Sequence, residues 1–333
     1  MAGMTDVFHS NIFSLVDLTS SIYNLPYVPH RLSDLGIFEE RGITTTTVVV
    51  EQKQGILNLV QSVPRGSPPV AVARDKRSAR SFLVPHLPQR ASLLADEVQN
   101  LRAFGGATVL DSVSSIRDDL LLKMKRNLDA TIEHHRTGAI QGTILDADGS
   151  TIYNLYTEFG VGQTSVNFAL GTAATNIRGK VNQVIKAIRT ALGGVPFNGV
   201  QVFCGQTFWE DLIDHPDVKD IYKYYQEGAQ VLRMDPRAQF PVFGCIFEYY
   251  YGFNGNTPYI ADTEAYAVPL ECPGLFVTAF APANYIETVN TVGQPYYAKA
   301  EVMDLEKGID IEMQSNPMSL CTRPGALIKC TVS

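Results

Sequence analysis

The sequence predicts an α+β fold in which one long helix joins an extended two-stranded excursion to an α/β lobe. Three observations carry that prediction. Thr44-Thr45-Thr46-Thr47-Val48-Val49-Val50 is a β-branched run of strong strand preference. Apolar residues then recur every three or four positions from Val113 to His135, the period of a helix. Beyond residue 175, helical patterns alternate with short apolar strands, the signature of an α/β lobe. At 333 residues and 45% hydrophobic content, the chain can bury a real core.

Residues 1–43 read as an N-terminal arm. The amphipathic segment Asn11 to Leu25 precedes the helix breakers Pro26 and Pro29, so it is expected to need a partner surface rather than to form core. The excursion covers residues 44–92. Its β-branched run leads out, Gly66-Ser67-Pro68-Pro69 interrupts it, and a basic return passes Arg74, Lys76, Arg77 and Arg80. An isolated two-stranded ribbon is marginal in water, so this one is expected to gain its stability only against another copy of the chain. From 51 to 93, seven basic residues stand against Glu51 and Asp75, a positive surplus in a chain of net charge −7.

Residues 93–194 form the next domain. A helix is expected from about 112 to 141, with Val113, Ile116, Leu120, Met124, Leu128, Ile132 and His135 on one face and Ser112 as its N-cap. At 1.5 Å per residue it would be about 42 Å long, a structural spine. Asp146-Ala147-Asp148-Gly149 marks a hairpin, and a second helix is expected from about Thr175 to Leu192.

Residues 195–285 form the α/β domain. The Asn198-Gly199 turn leads into the strand Val200 to Cys204, followed by a helix through Phe208 and Ile213. Further strands are expected within Phe243 to Tyr251 and around Tyr259-Ile260-Ala261 and Phe276-Val277, with a turn at Asn254-Gly255. Residues 286–333 return as strands. They include an acidic stretch of Glu301, Asp304, Glu306, Asp310 and Glu312 against Lys307 alone.

A net charge of −7 and a pI near 5.4 argue against phosphate neutralisation as a binding mode. No run approaches the roughly 18 apolar residues of a membrane span, and the start carries Asp6 and no basic leader, so a cytoplasmic protein without a membrane partner is expected. Five cysteines without a Cys-x-x-Cys pair suit neither a disulfide framework nor zinc. His134 and His135 are neighbours on the helix, about 100° apart, and cannot share one ion. Asp146-x-Asp148-Gly149 lacks the third oxygen ligand and the distal Glu of a calcium loop. Gly179-Lys180 is followed by Val181, with Ala174 where a phosphate loop needs its first glycine. No cofactor is expected.

Cys204 with His215 could make a thiol hydrolase, but no orienting residue has a recognisable spacing. Tyr222, Tyr224, Tyr225 and Tyr249-Tyr250-Tyr251 could stack bases, yet Asp220, Glu227 and Glu248 flank them, so packing is the better reading. For Arg74, Lys76, Arg77 and Arg80, docking on the acidic stretch of a neighbouring copy accounts for the separation of charge along the chain.

The order of elements and three stretches carry a resemblance: Gly142 to Gly149, Phe243 to Gly252, and above all the run from Ala281-Pro282-Ala283 through Asn290-Thr291-Val292-Gly293-Gln294-Pro295-Tyr296-Tyr297 to Asn316-Pro317-Met318-Ser319-Leu320-Cys321-Thr322-Arg323-Pro324. The chain resembles the lambda-type major head proteins of tailed bacteriophages, the capsid protein E family. The similarity covers nearly the whole sequence and is weakest before residue 40.

The resemblance implies the Hong Kong-97 capsid fold: arm, extended loop, peripheral domain with spine helix, axial domain, and C-terminal strands returning to the peripheral domain. It implies a non-enzymatic subunit that forms hexamers and pentamers of an icosahedral head. That head would enclose double-stranded DNA without specific binding and be assembled in the host bacterial cytoplasm. The implied partners are further copies of the chain, a separate scaffolding protein, a portal and a decoration protein. An encapsulin-like compartment, which shares the fold, is the nearest rival, and the run from 281 to 324 favours the phage over it; a tail-tube subunit, with open helical stacking in place of a closed shell, is another.

Overall fold

The fold is described from a computed structural model covering residues 14–24, 31–53, 77–99, 109–228, 239–254 and 257–333. The chain divides into two compact units. Unit 1 comprises Met1–Val48, Ser81–Glu133 and Thr278–Ser319; unit 2 comprises Val49–Arg80, His134–Val277 and Leu320–Ser333.

In chain order, α1 (Leu15–Asn24) and α2 (Arg31–Asp34) precede β1 (Glu39–Gly42), β2 (Thr47–Lys53), β3 (Arg77–Leu83), β4 (Leu87–Leu94) and α3 (Ala95–Gln99). The long helix α4 (Val109–Gln141) follows, then β5 (Thr143–Leu145), β6 (Thr151–Asn154), α5 (Leu155–Phe159), β7 (Thr164–Asn167) and α6 (Ile177–Leu192). The next stretch holds β8 (Val200–Cys204), α7 (Gln206–Asp214), α8 (Pro216–Gly228), β9 (Phe240–Val242), β10 (Cys245–Tyr249), β11 (Phe253–Asn254), β12 (Thr257–Pro258), β13 (Glu264–Pro269) and β14 (Phe276–Phe280). The return consists of β15 (Tyr297–Val302), β16 (Gly308–Ser315), β17 (Pro317–Cys321) and β18 (Ile328–Thr331).

Unit 1 is built on the antiparallel sheet β15-β16-β4. Strand alternation turns Ile309, Ile311 and Met313 inward and leaves Asp310 and Glu312 partly exposed. The inward set packs with Leu93, Ala298 and the α4 residues Val113, Leu121, Met124 and Leu128. Leu18 and Ile22 of α1 complete that core with no exposed surface. The amphipathic segment expected to lie outside the core is therefore a core element, because its apolar stripe finds the sheet of its own chain; Pro26 and Pro29 lie outside the described residues.

Helix α4 has 33 residues and is about 50 Å long at 1.5 Å per residue. It begins at Val109, so Ser112 lies inside it rather than capping it. Lys125, Asp129 and Glu133 are buried at four-residue spacing on one face, and each is tied to another segment of unit 1. Lys125 Nζ donates to the Ile22 carbonyl at 3.2 Å and lies 5.8 Å from the Tyr296 ring centroid. Tyr296 Oη donates to Asp129, and Leu32 N donates to Glu133 Oε1 at 2.8 Å.

Strands β2 and β3 pair as a two-stranded ribbon. Val48, Val50, Phe82 and Val84 are buried, so the root of the excursion packs within its own chain. Alternation leaves Val49 and Leu83 exposed. Gly66 to Pro69 lie outside the described residues, and β4, which the excursion was expected to include, belongs to the unit 1 sheet.

Unit 2 carries a six-stranded mixed sheet in the order β7-β18-β13-β8-β10-β9. Central β8 is buried throughout and runs parallel to β10 and antiparallel to β13, which explains why its residues other than Gln201 are apolar; Gln201 Nε2 donates to Glu248 Oε2 at 2.7 Å. Helix α6 starts at the N-cap Asn176, one residue inside the expected start, and ends at Gly193 in the left-handed region. The hairpin β5-β6 forms as expected on its Asp-Gly turn. Tyr259-Ile260-Ala261 is not a strand; the paired strand is β13, five residues further on, where the β8 and β18 partners are. Strands β11 and β12 flank the expected Asn254-Gly255 turn, whose Gly255 lies outside the described residues.

Candidate functional site

The surface that bears on function begins where the excursion leaves unit 1. Ile43 N donates to the Phe280 carbonyl at 2.9 Å, and Gly293 N donates to the Ile43 carbonyl at 2.8 Å. The main chain at residue 43 is thus gripped from both sides. A Cβ on Gly42 would overlap the Gly293 carbonyl and a Val292 methyl, and one on Gly293 would overlap the Phe280 carbonyl. Only glycine allows three main-chain segments to approach this closely. Val84 N donates to the Thr46 carbonyl at 3.0 Å and holds the returning strand to the outgoing one.

Asn316 braces the same region. Its side chain accepts from His86 Nδ1 at 2.8 Å and donates to the Pro282 carbonyl at 2.9 Å, while its own carbonyl accepts from Ala281 N at 2.9 Å. Ala281, Pro282, Val292, Gly293 and Asn316 of this clamp all fall within the stretch 281 to 324.

The predicted basic residues are placed unequally. Arg74 and Lys76 lie outside the described residues, and Arg77 lies on β3. Arg80 turns to its own unit: its guanidinium lies 5.5 Å from the centroid of the Phe159 ring, and its Nε is buried without a hydrogen-bond partner. The acidic residues divide as well. Asp310 accepts from Arg90 and from Ser92 on the adjacent strand, and the Arg90 hydrogen bond holds its carboxyl below the usual range. Glu312 accepts from Tyr285 Oη at 3.3 Å and from Gln314. Glu301, Asp304 and Glu306 remain exposed, the last two in the turn joining β15 to β16.

The other candidates are structural. Burial raises the Cys204 thiol well above its ordinary pKa, and its Sγ donates to the Val202 carbonyl at 3.7 Å. The His215 ring is held by the Thr172 carbonyl at 3.2 Å and by Asp217 N at 3.2 Å. A nucleophile needs a thiolate, which this environment suppresses. Tyr222 packs edge-on against Phe240 at 5.0 Å, and Tyr250 against Phe203 at 5.7 Å. His134 lies 4.8 Å from the Tyr259 ring, while His135 is fully buried and neither of its ring nitrogens has a hydrogen-bond partner.

The clamp, the α4 charge stripe and the glycines at 42 and 293 join segments far apart in sequence, and periodicity gives no sign of them. The dense run around Asn290 to Gln294 and Asn316 was the one available signal.

A long helix on a three-stranded sheet, an anchored ribbon and a separate α/β unit define a shell-forming capsid subunit of the Hong Kong-97 type. The chain belongs to the phage major capsid protein E family, which it matches over residues 14–332. It is 31% identical to the major capsid protein of Pseudomonas phage KPP10, covering 96% of this chain and 97% of that one. It is 26% identical to the major capsid protein of Salmonella phage Felix O1, with 95% of each covered. Among solved structures, the capsid of cyanophage A-1(L) has the same fold, with a TM-score of 0.51 at 12% identity over 92% of this chain and 94% of that one. The protein is a major capsid protein that forms the icosahedral head shell of a tailed phage, and its place is in the virion.

Proposed function

We propose that copies of this chain form hexamers and pentamers that close around double-stranded DNA without binding it specifically. The observation that carries this reading is the double-sided grip on Ile43, which fixes the direction in which a basic ribbon leaves the body of the subunit. An anchored root with a charged continuation suits a segment that reaches a neighbour, and obligate contacts of that kind often bury about 2,000 Å² or more. The net charge of −7 suits a container that must release its genome.

On this reading, residues 93–194 are the peripheral domain, 195–285 the axial domain, and 286–333 the returning strands. The subunit acts without catalysis, and a separate scaffolding protein, a portal and a decoration protein are its further partners. Arg74, Lys76 and Arg77 dock on Glu301, Asp304 and Glu306 of the adjacent copy; Arg80 and Asp310 drop out of that contact because Phe159 and Arg90 already occupy them.

Electron micrographs of particles from cells making the chain test the shell, and closed spherical particles are the expected result. Arg74→Glu combined with Arg77→Glu is expected to leave soluble, folded subunits and to abolish the particles. Normal particles from the double variant would remove the charge docking and leave the shell reading intact.

A further inference from the structure

We propose that copies of this chain meet head to tail through unit 2, where an aromatic ridge at Tyr251 and Phe253 of one copy enters a cavity beside α6 and β8 of the next. The inference rests on the reading of the chain as a shell subunit and names the two faces by which adjacent copies join. The cavity holds about 530 Å³ and is lined by Ile185, Val195, Pro196, Phe197 and Val200, with Arg189 as its charged member. That volume suits an aromatic side chain, and a guanidinium in the lining can lie over the face of one. The wall at Gly244 lacks a Cβ; one there would come within 3.8 Å of Ile185 Cδ1 and narrow the space.

Alternation gathers the ridge. Tyr250 is buried, and a Cβ on Gly252 would meet the Tyr250 and Tyr259 rings at 2.4 Å, so both positions turn inward. Tyr251 and Phe253, at the positions between and beyond, are left 45% and 44% exposed, and the Tyr249 ring packs edge-on against Tyr251 at 4.3 Å. Cavity and ridge stand at opposite ends of one sheet. The parallel register of β8 and β10 sets Cys245 beside Val200, at the cavity, and Tyr249 beside Cys204, whose carbonyl accepts from Tyr250 N at 3.0 Å. The length of β8 separates the two features by about 15 Å.

A second copy is the occupant because one subunit carries both halves and holds them apart. Complementary surfaces at opposite ends of a subunit repeat head to tail, and the repeat closes into a ring of subunits when the rotation allows. The charges agree with this pairing. Arg189 is exposed at the cavity, with Lys186 exposed one turn before it, while Asp262 is exposed beyond Cys204, where its main chain lies against Gly205. Neither Arg189 nor Asp262 has an ion-pair partner among the described residues. Glu271, near the cavity, already accepts from Asn198 Nδ2 at 2.9 Å, and Glu264, near Asp262, pairs with Lys329 at 2.5 Å. A positive cavity end thus meets a negative ridge end, and buried aromatic anchors supply the contact.

The test compares the full parent chain with Arg189→Glu, Asp262→Arg and the two changes together. Both positions are exposed, so every form is expected to melt like the parent. Each single change is expected to lower the yield of shells about tenfold, because like charges then face each other across the joint, and the double change to restore it to within about twofold. Restoration identifies a second copy as the occupant, since both members of the pair belong to this chain and lie too far apart to meet within it. A parent chain that forms no shells overturns the shell reading, and this inference with it. Undiminished shells from either single variant, or a double variant no better than the singles, overturns the head-to-tail joint alone and leaves the shell reading standing. Where a variant melts early, Phe253→Cys in a Cys272→Ser background decides. Its thiol is expected to react with a maleimide about tenfold more slowly in shells than in dissociated subunits, because interface centres exclude water, and equal rates overturn the joint.

Discussion

The element ends of unit 2 and the anchoring ties of unit 1 act over different distances along the chain. Unit 2 has a sheet that joins strands as distant as β7 and β18, but its helix and hairpin ends are set by local devices. Asn176 Oδ1 accepts from Gly179 N at 2.8 Å, Asn154 Oδ1 accepts from Thr157 N at 3.2 Å, and Asp146 N donates to the Ser150 carbonyl at 2.8 Å. In unit 1 the corresponding contacts join Ile22 to Lys125, Leu32 to Glu133, Ile43 to Gly293 and His86 to Asn316. Local devices form as each segment forms, whereas these ties of unit 1 need long loops to close before they appear. The root of the excursion belongs to the long-range unit. The anchorage of the excursion therefore exists only when these long-range ties are in place.

The comparison predicts that breaking one long-range tie costs far more than breaking one local device. The largest effect is expected at Gly293, where an added Cβ collides with main-chain atoms of Phe280 and Ala281 that have no side-chain freedom to yield. Gly293→Ala is expected to lose about 4 kcal/mol or more, at the top of the range for single substitutions. Gly162→Ala, where nothing lies within 4 Å and the backbone is ordinary, is its control. Urea unfolding midpoints measure both; a Gly293→Ala midpoint near that of the control would end the idea of a clamp.

The same division explains what could be read from the sequence. Helix α6, strand β8 and the β5-β6 hairpin are announced by the helical pattern from Thr175 to Leu192, by Val200 to Cys204 and by Asp148-Gly149, signals confined to neighbouring residues. The long helix is legible because its apolar period spans many turns. The core role of Leu18 and Ile22 is not legible, because a short amphipathic segment looks the same whether it packs on its own sheet or on a partner. Nor could spacing show that Arg80 lies over Phe159 or that Asp310 accepts from Arg90, since both pairings depend on which strands meet. The charged segments could be identified in the sequence; which of their members were still available to a partner could not.

A second prediction sharpens the account of unit 2, where a local position is held against its own chemistry. Burial first, and then neighbouring His134, push the His135 pKa down from 6.5 to about 4. The folded state therefore favours the neutral ring, so its contribution is fully present above pH 6.5 and is lost as pH falls toward 4. Across that window the loss amounts to about 3 kcal/mol. His135→Leu keeps an apolar group of helix-compatible shape and is expected to flatten this part of the stability curve. Denaturant unfolding at a series of pH values checks it, and an unchanged slope in the variant would assign the acid sensitivity elsewhere.

The smallest expected effect fixes the scale for the local devices. Asn176→Ala removes the acceptor for Gly179 N at the start of a sixteen-residue helix and leaves the five buried apolar residues of α6 in place. The freed N–H can turn to solvent, because Gly179 is only half-buried, so no buried donor is left unpaired. The expected loss is then that of a cap alone, about 1 kcal/mol. Glycine at 176 should recover most of it, since the N-cap backbone is extended and needs no side-chain support to start the helix. Thermal melts of the alanine and glycine variants measure the difference. A loss from Asn176→Ala as large as that from Gly293→Ala would mean that local and long-range ties contribute equally, and the contrast between the two units would fall.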